Sequence, residues 1–338
     1  MAEVTLSGLS KAYGATQALR DVSLTIPDGA FVVLLGPTGA GKTTTLRLIA
    51  GLDRPDRGDV RIDGASVLND TPAQRDIAMV FQQYSLYPHM TVRDNLAFPL
   101  RSPMIALPED QIAARVAEVA RVLRIPHKLD NKATALSGGE MQRVSIGRAL
   151  VRNPRIYLMD EPLSSLDAKL RADLRIELKR IHAELGATFL YVTHDQIEAM
   201  TMASHVGVLD EGRLVQFGTP REIYEDPVST YVASRLGQPR IALLPADAFG
   251  ALATPPPGAA QIGLRPEHIL QGEGAPATVH RLEHLGDQTR LHLTLGPHQI
   301  VTLADAHTAL APGDSLPIRP RNPLWFDARG NRLTAPQP

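Results

Sequence analysis

The sequence predicts a mostly parallel α/β domain followed by a smaller all-β domain. Three observations predict it. The apolar run Phe-Val-Val-Leu-Leu at residues 31–35 reads as a buried parallel strand, and it turns through a glycine-rich loop into a helical pattern at Leu46, Ile49 and Ala50. Strand-like runs and helix-like repeats then alternate to about residue 235. From residue 236 proline and glycine become frequent and the hydrophobic period shortens to two, as at Leu291, Leu293 and Leu295. The expected division is therefore residues 1–235 and residues 236–338.

Composition narrows the class. With 338 residues the chain can bury one large core and a second, smaller one. A net charge of -1 leaves no basic footprint for nucleic acid. The lack of cysteine excludes disulfides and thiolate metal sites. No stretch approaches the ~18 to 20 apolar residues of a membrane span. The first residues, Met-Ala-Glu-Val-Thr-Leu, show no basic leader. A chain that works in the cytoplasm and meets membranes through partners is the expectation.

The loop after the first buried strand is the centre of the chemistry. Gly36, Pro37, Thr38, Gly39, Ala40, Gly41, Lys42 and Thr43 fill the pattern G-x-x-x-x-G-K-[ST], with Thr44 following. Glycines let the backbone turn its N–H groups inward as an anion nest, and the helix start adds partial positive charge. Lys42 would reach the β- and γ-phosphates of a nucleotide, and the Thr43 hydroxyl would sit on Mg²⁺.

The remaining elements follow in chain order. Residues 3–8 and 22–26 alternate as strands, with Tyr13 in the turn between them. That tyrosine is either an amphipathic surface residue or a ring placed to stack on a purine. Residues 52–64 carry turn chemistry around Val60 and Ile62. Residues 77–81 form a short buried strand ending at Gln82, which is either a spacer or a polar group where α/β proteins place ligands. Tyr84 and Tyr87 read as exposed aromatics suited to a partner surface.

Residues 91–150 read as helical, with Ile112, Val116, Val119 and Leu123 at helical spacing. Ser137 and Glu140 match a capping box, while Gly138 and Gly139 bare backbone N–H groups that could hold an anion. Residues 155–162 read as an apolar strand ending in two carboxylates, Asp160 and Glu161. Strand alternation would separate their jobs, Asp160 holding Mg²⁺ and Glu161 polarising a water. After the polar loop at 163–167, Leu170, Leu174, Leu178, Ile181 and Leu185 make a helix stripe. Residues 188–193 form a strand ending at His194, at the carboxyl end where ligands bind. Residues 205–209 and 213–216 are the last strands of this domain.

Beyond residue 236 the pattern is a small barrel or sandwich. Pro255, Pro256 and Pro257 read as a stiff linker or loop tip. His268, His280, His284, His292, His298 and His307 crowd this part, but their scattered spacing fits solvated strand faces better than a metal site.

On these motifs the chain resembles the ATP-binding-cassette (ABC) proteins. Residues 36–43 resemble their Walker A motif, residues 156–160 Walker B, and residues 136–140 the family signature. Gln82, residues 164–167 and His194 stand in family order. The closer similarity is to ATPase subunits of bacterial carbohydrate importers of the maltose and glycerol-3-phosphate type. It is carried by residues 84–90, 166–171 and 193–200, and by residues 263–268, which are similar to a segment of their OB-type regulatory domain.

The resemblance implies a P-loop ABC ATPase with a helical subdomain, then an OB-like regulatory domain. It implies ATP and Mg²⁺. Tyr13 would stack on adenine, Gln82 would meet Mg²⁺ and sense the membrane partner, and Glu161 would be the general base. His194 would contact the γ-phosphate, and Asp167 would cross to the partner subunit. Ser137, Gly138 and Gly139 would complete the opposite protomer's site. It further implies a homodimer, two transmembrane permease subunits and, indirectly, an extracytoplasmic solute-binding protein, at the cytoplasmic side of the inner membrane and without nucleic acid. The solute would be a carbohydrate, polyol or glycerol conjugate. The runner-up readings are a soluble cassette ATPase with no permease and a regulatory binding role of the C-terminal domain. The chain departs from the family at Glu140, Met141, Thr38, Ala40 and Ser165. Glu140 adds negative charge near a phosphate, which should cost some binding.

Overall fold

The structure is a computed structural model that describes residues 2–103 and 105–333. It divides into two compact units, Met1–Pro220 and Arg221–Pro338.

In the first unit the chain runs β1 (Val4–Tyr13), β2 (Thr16–Ile26), β3 (Phe31–Leu35), α1 (Lys42–Ala50), β4 (Arg57–Ile62), β5 (Ala65–Ser66) and β6 (Ile77–Val80). The helices α2 (Val92–Ala97), α3 (Glu109–Val122) and α4 (Gly138–Leu150) follow, then β7 (Ile156–Asp160), α5 (Ala168–Leu185), β8 (Thr188–Thr193), α6 (Gln196–Met202), β9 (His205–Asp210) and β10 (Arg213–Gly218). Six strands form one sheet in the order β10-β9-β3-β8-β7-β6. Its β9, β3, β8, β7 and β6 are parallel, and β10 closes one edge antiparallel. Every residue of β3, β7 and β8 is buried, which is why these strands read as unbroken apolar runs. Val32, Leu34, Leu158, Leu190 and Val192 pack with Leu46, Leu48 and Ile49 of α1 in one core. That core seats the carboxyl ends of β3, β7 and β8 side by side, at the start of α1.

A second sheet, β2-β1-β4-β5, is antiparallel. Here the structure corrects the expected turn at Tyr13. Lys11, Ala12 and Tyr13 pair with Leu19, Gln17 and Thr16 across register shifts, so Tyr13 is the last residue of β1. The expected strand at 77–81 also stops one residue early, and Phe81 leaves the sheet 40 % exposed. The helical segment behaves as its periodicity predicts, with Ile112, Val116, Val119 and Leu123 buried and α2, α3 and α4 packed on one another. Among the described residues no helix is long and apolar enough to cross a membrane.

The second unit contains α7 (Pro220–Glu225), α8 (Thr230–Arg235) and β11 (Ala242–Pro245), β12 (Gln261–Leu264), β13 (Ile269–His284), β14 (Gln288–Leu295), β15 (His298–Asp305), β16 (Ser315–Pro320), β17 (Leu324–Phe326) and β18 (Arg332–Leu333). Two antiparallel sheets, β11-β12-β17-β18 and β15-β14-β13-β16, make an OB-like all-β domain. Along β14 the residues Leu291, Leu293 and Leu295 are buried while Arg290, His292 and Thr294 are not, as the alternation predicts. The proline run at 255–257 is a loop inside this unit. Arg265 is 2 % exposed and ties the unit together, its guanidinium donating to the carbonyls of Tyr224, Ala233 and Leu236.

Candidate nucleotide site

The loop between β3 and α1 is shaped by backbone that only glycine adopts easily. Gly41 caps α1 with φ 99°, and a Cβ there would fall 2.7 Å from the Ala18 carbonyl oxygen. A Cβ at Gly36 would lie 2.6 Å from the carbonyl oxygen of Leu209 in β9. The loop is thus pressed against neighbouring strands, and its shape is fixed before any ligand arrives.

Lys42 is 4 % exposed. Its ammonium donates to the Gly36 and Pro37 carbonyls at 2.9 and 3.0 Å and lies 3.5 Å from Glu161 Oε1. The Thr43 hydroxyl donates to Asp160 Oδ1 at 2.9 Å. Burial pushes the Asp160 carboxyl above its ordinary range, and the Thr43 hydrogen bond partly opposes that. Two hard oxygen donors on adjacent elements, one of them a carboxylate, form a set that suits Mg²⁺.

Strand alternation does not separate the two acids, because β7 ends at Asp160. Glu161 turns out of the sheet with φ 43°, a left-handed conformation uncommon outside glycine, and its N–H donates to the Val192 carbonyl at 3.1 Å. That turn aims the carboxylate across the strand ends. Its Oε2 lies 3.0 Å from His194 Nδ1 while Oε1 faces Lys42. Glu161 therefore bridges Lys42, at the start of α1, and His194, just beyond the end of β8. The His194 side chain is 57 % exposed and opens toward solvent.

The other expected residues divide into two groups. Gln82 is exposed, with its amide 3.5 Å from the Ser164 hydroxyl, which itself donates to the Glu161 carbonyl. Tyr13 donates its hydroxyl to Asp53 at 2.6 Å, Arg47 holds the same carboxylate, and 45 % of the tyrosine remains exposed. The ring is thus tethered at its hydroxyl and open to solvent, with the Lys11 ammonium 5.4 Å from its centroid. Ser137, Gly138 and Gly139 gather elsewhere. Ser137 and Glu140 form a complete capping box at the start of α4. A Cβ at Gly139 would lie 2.1 Å from Leu170 Cδ2, and one at Gly138 would lie 3.2 Å from the Tyr84 hydroxyl. Asp167 caps α5, accepting from the Leu170 N–H at 3.0 Å. These residues form a patch of their own, and their contacts are with Tyr84 and α5 rather than with the loop at 36–43.

Two features were beyond sequence reasoning. Lys128 lies 2.9 Å from Glu140 Oε1, and that pair holds the Glu140 carboxyl below its usual range after the Ser137 backbone bond. The expected penalty of Glu140 is therefore countered by a neighbouring cation. The second feature is Glu198, 2 % exposed, which accepts hydrogen bonds from Tyr191 at 2.8 Å and Thr193 at 2.6 Å. Thr193 in turn accepts from the Asp195 N–H at 2.9 Å, so α6 pins the backbone on both sides of His194. A carboxylate in an otherwise apolar helix face, four residues after His194, was the only signal in the sequence.

Burial pushes the Glu198 carboxyl above its ordinary 4.5. A raised folded-state value means the stability it lends is fully present below the unfolded value and is lost as pH rises through the folded one. Glu198→Gln cannot titrate. Its melting temperature should therefore decline less than the wild type's between about pH 4.5 and neutrality. Parallel melting curves with the same pH dependence would remove Glu198 as a titrating group.

This fold and this loop define a P-loop nucleotide-binding ATPase with an appended OB-like domain. Family comparison agrees. Residues 19–164 match the ABC transporter model and residues 262–326 the TOBE domain model. The chain is 45 % identical over 340 residues to the sn-glycerol-3-phosphate import ATP-binding protein UgpC of Ruegeria pomeroyi, covering 94 % of this chain and 96 % of that one. It is 43 % identical over 365 residues to the lactose transport ATP-binding protein LacK of Rhizobium radiobacter, covering 98 % and 100 %. Among solved structures it matches an ATP-binding cassette dimer in a post-hydrolysis state with ADP and Pi, at 32 % identity and TM-score 0.58, over 64 % of this chain and 99 % of that one. It also matches cbiO1 from Clostridium perfringens, part of an ABC transporter complex, at 28 % identity and TM-score 0.61, over 65 % and 89 %. The chain belongs to the ATP-binding subunits of ABC importers, and it is an ATPase that binds ATP.

Proposed function

We propose that this chain powers uptake of a carbohydrate, polyol or glycerol conjugate across the inner membrane, from its cytoplasmic side. The observation that carries the reading is the meeting of Lys42, Glu161 and His194 beside the Thr43–Asp160 pair. Import relatives named for sn-glycerol-3-phosphate and lactose support the solute class. Residues 1–235 would be the nucleotide domain and residues 236–338 the regulatory one.

ATP would lie along residues 36–44, its phosphates on the loop amides and on Lys42, its adenine on Tyr13. Thr43, Asp160 and Gln82 would hold Mg²⁺, which when bound neutralises charge on the β- and γ-phosphates. Glu161 would take a proton from the attacking water, and His194 would stabilise charge gathering on the transferred phosphoryl group. In this arrangement Glu161 must exchange part of its contact with His194 for that water. Ser137, Gly138, Gly139 and Asp167, set apart from the loop, would serve the site of a second copy, so the working unit is a homodimer bearing two shared sites. Two permease subunits would dock on it, and a solute-binding protein would act through them.

The permease surface we assign is the cavity of about 260 Å³ lined by Phe81, Tyr84, Phe98 and Arg148. The expected exposure of Tyr84 and Tyr87 is corrected by the structure, where both are half-buried. Tyr87 packs on Phe98 at 4.5 Å and under Arg148 at 4.7 Å, so it shapes the wall while Phe81 and Phe98 offer the open apolar face. Phe81→Ala should leave the isolated subunit's ATPase within about twofold and reduce solute uptake by more than about tenfold in proteoliposomes carrying the permease, as loss of an aromatic anchor does. Equal loss of both activities would assign Phe81 to the nucleotide site instead. Uptake that proceeds without this subunit would overturn the importer reading itself.

A further inference from the structure

The β-rich unit carries a second cluster of chemistry that the nucleotide site does not use. We propose that it binds a small organic dianion, a phosphomonoester or a dicarboxylate, on the outer face of the sheet formed by β13, β14 and β15. A cavity of about 520 Å³ lies there, within the size range of metabolite sites. Arg240, His280, Arg281, His292 and Gln299 supply its polar walls, over an apolar floor that includes the half-buried Val301, the partner of His292 across the sheet. Among the described residues no carboxylate lines it.

Charge balance points to an anion. Glu283 accepts from Arg281, from Arg290 at 2.9 Å, and lies 3.1 Å from His292. One carboxylate thus answers two guanidiniums, with the His292 ring beside it. Arg240 is exposed and has no ion-pair partner among the described residues. The surplus is positive, concentrated around an open cavity, and a dianion would neutralise it.

The backbone is bent to make this face. Val279 pairs with Leu293, yet Arg281 pairs with the next residue, His292, so His280 is the extra residue of a β-bulge. Without it, alternation would set Arg281 on the same face as buried Val279. The bulge adds the His280 ring to the outer face and turns Arg281 outward beside His292 and Glu283. Bulges that re-aim side chains are a recurrent feature of binding sites.

The inference stands apart from the importer reading, and its test keeps the two separate. Titration calorimetry would use the full chain saturated with ADP, so that the loop at 36–43 is already filled. The probes are glucose 6-phosphate, succinate and uncharged glucose. One dianion should bind at one site per chain and glucose should not. Arg240→Ala, at an exposed position that leaves the fold intact, should weaken binding by about 10- to 100-fold. Glu283→Gln, which removes the one acid in contact with the cluster among the described residues, should tighten it by roughly fivefold. A merely structural role for Glu283 offers no such gain. Binding of succinate alone, or of glucose 6-phosphate alone, would support the site and fix its class. No heat with either dianion, equal binding of glucose, or an affinity unmoved by Arg240→Ala would overturn it.

Discussion

Glu161→Gln should slow ATP hydrolysis by about 10²- to 10⁴-fold while leaving ATP binding intact. The amide keeps the shape of the carboxylate and keeps an oxygen for the Glu161 contact to His194. Lys42 loses one charged neighbour at 3.5 Å but retains the Gly36 and Pro37 carbonyls, so the glycine-rich loop holds its form. Thr43 and Asp160 are bonded to each other rather than to Glu161 and are undisturbed. What is lost is the ability to accept a proton from water. ATP should then accumulate in the shared sites, and a dimer held by ATP should persist because nothing resets it. Size-exclusion chromatography with and without ATP and Mg²⁺, beside a phosphate-release assay, measures both. Near-normal turnover would remove Glu161 as the base. Slow turnover with no ATP-dependent dimer would keep the base and undercut the two-site sandwich.

The residues of this site were legible in the sequence because their chemistry is local. A glycine-rich loop with Lys42 and Thr43, two acids after an apolar run, and His194 after another are each readable within a dozen positions. What escaped depends on partners distant along the chain. The hydroxyl of Tyr13 is held by Asp53, 40 residues on, and its strand register by pairing that propensity does not reveal. Lys128 meets Glu140 only because α4 is folded back against the turn that precedes it. Glu161 was read as a strand residue, and the left-handed turn that aims it between Lys42 and His194 leaves no mark in composition. Apolar residues carry the same ambiguity. Phe81 looked buried because it ends an apolar run, whereas Tyr87 looked exposed because it sits among polar residues, and packing reversed both. In the β-rich unit the two-residue period announced the sheet, but a single extra residue at His280 shifts the phase and is visible only in the pairing.

Lys42→Ala should fail one step earlier than Glu161→Gln, at binding. The ammonium sits at the start of α1 with almost no exposure, directly after the glycine-rich loop. Hydrogen bonds to charged groups are worth about 1.5 to 3 kcal/mol each, and Lys42 would make them to both the β- and γ-phosphates. Their joint loss corresponds to a rise of about 10²- to 10⁴-fold in the dissociation constant for ATP. The substitution also strips the Gly36 and Pro37 carbonyls of their donor and removes the cation facing Glu161, so the free loop should loosen as well. A fluorescent-nucleotide titration measures the affinity, and the same chromatography should show no dimer promoted by ATP. The two variants thus separate roles that a single activity assay merges. Glu161→Gln traps the nucleotide, and Lys42→Ala does not hold it. An Ala variant that binds ATP normally yet does not hydrolyse it would move Lys42 from holding the ground state to stabilising charge in the transition state alone.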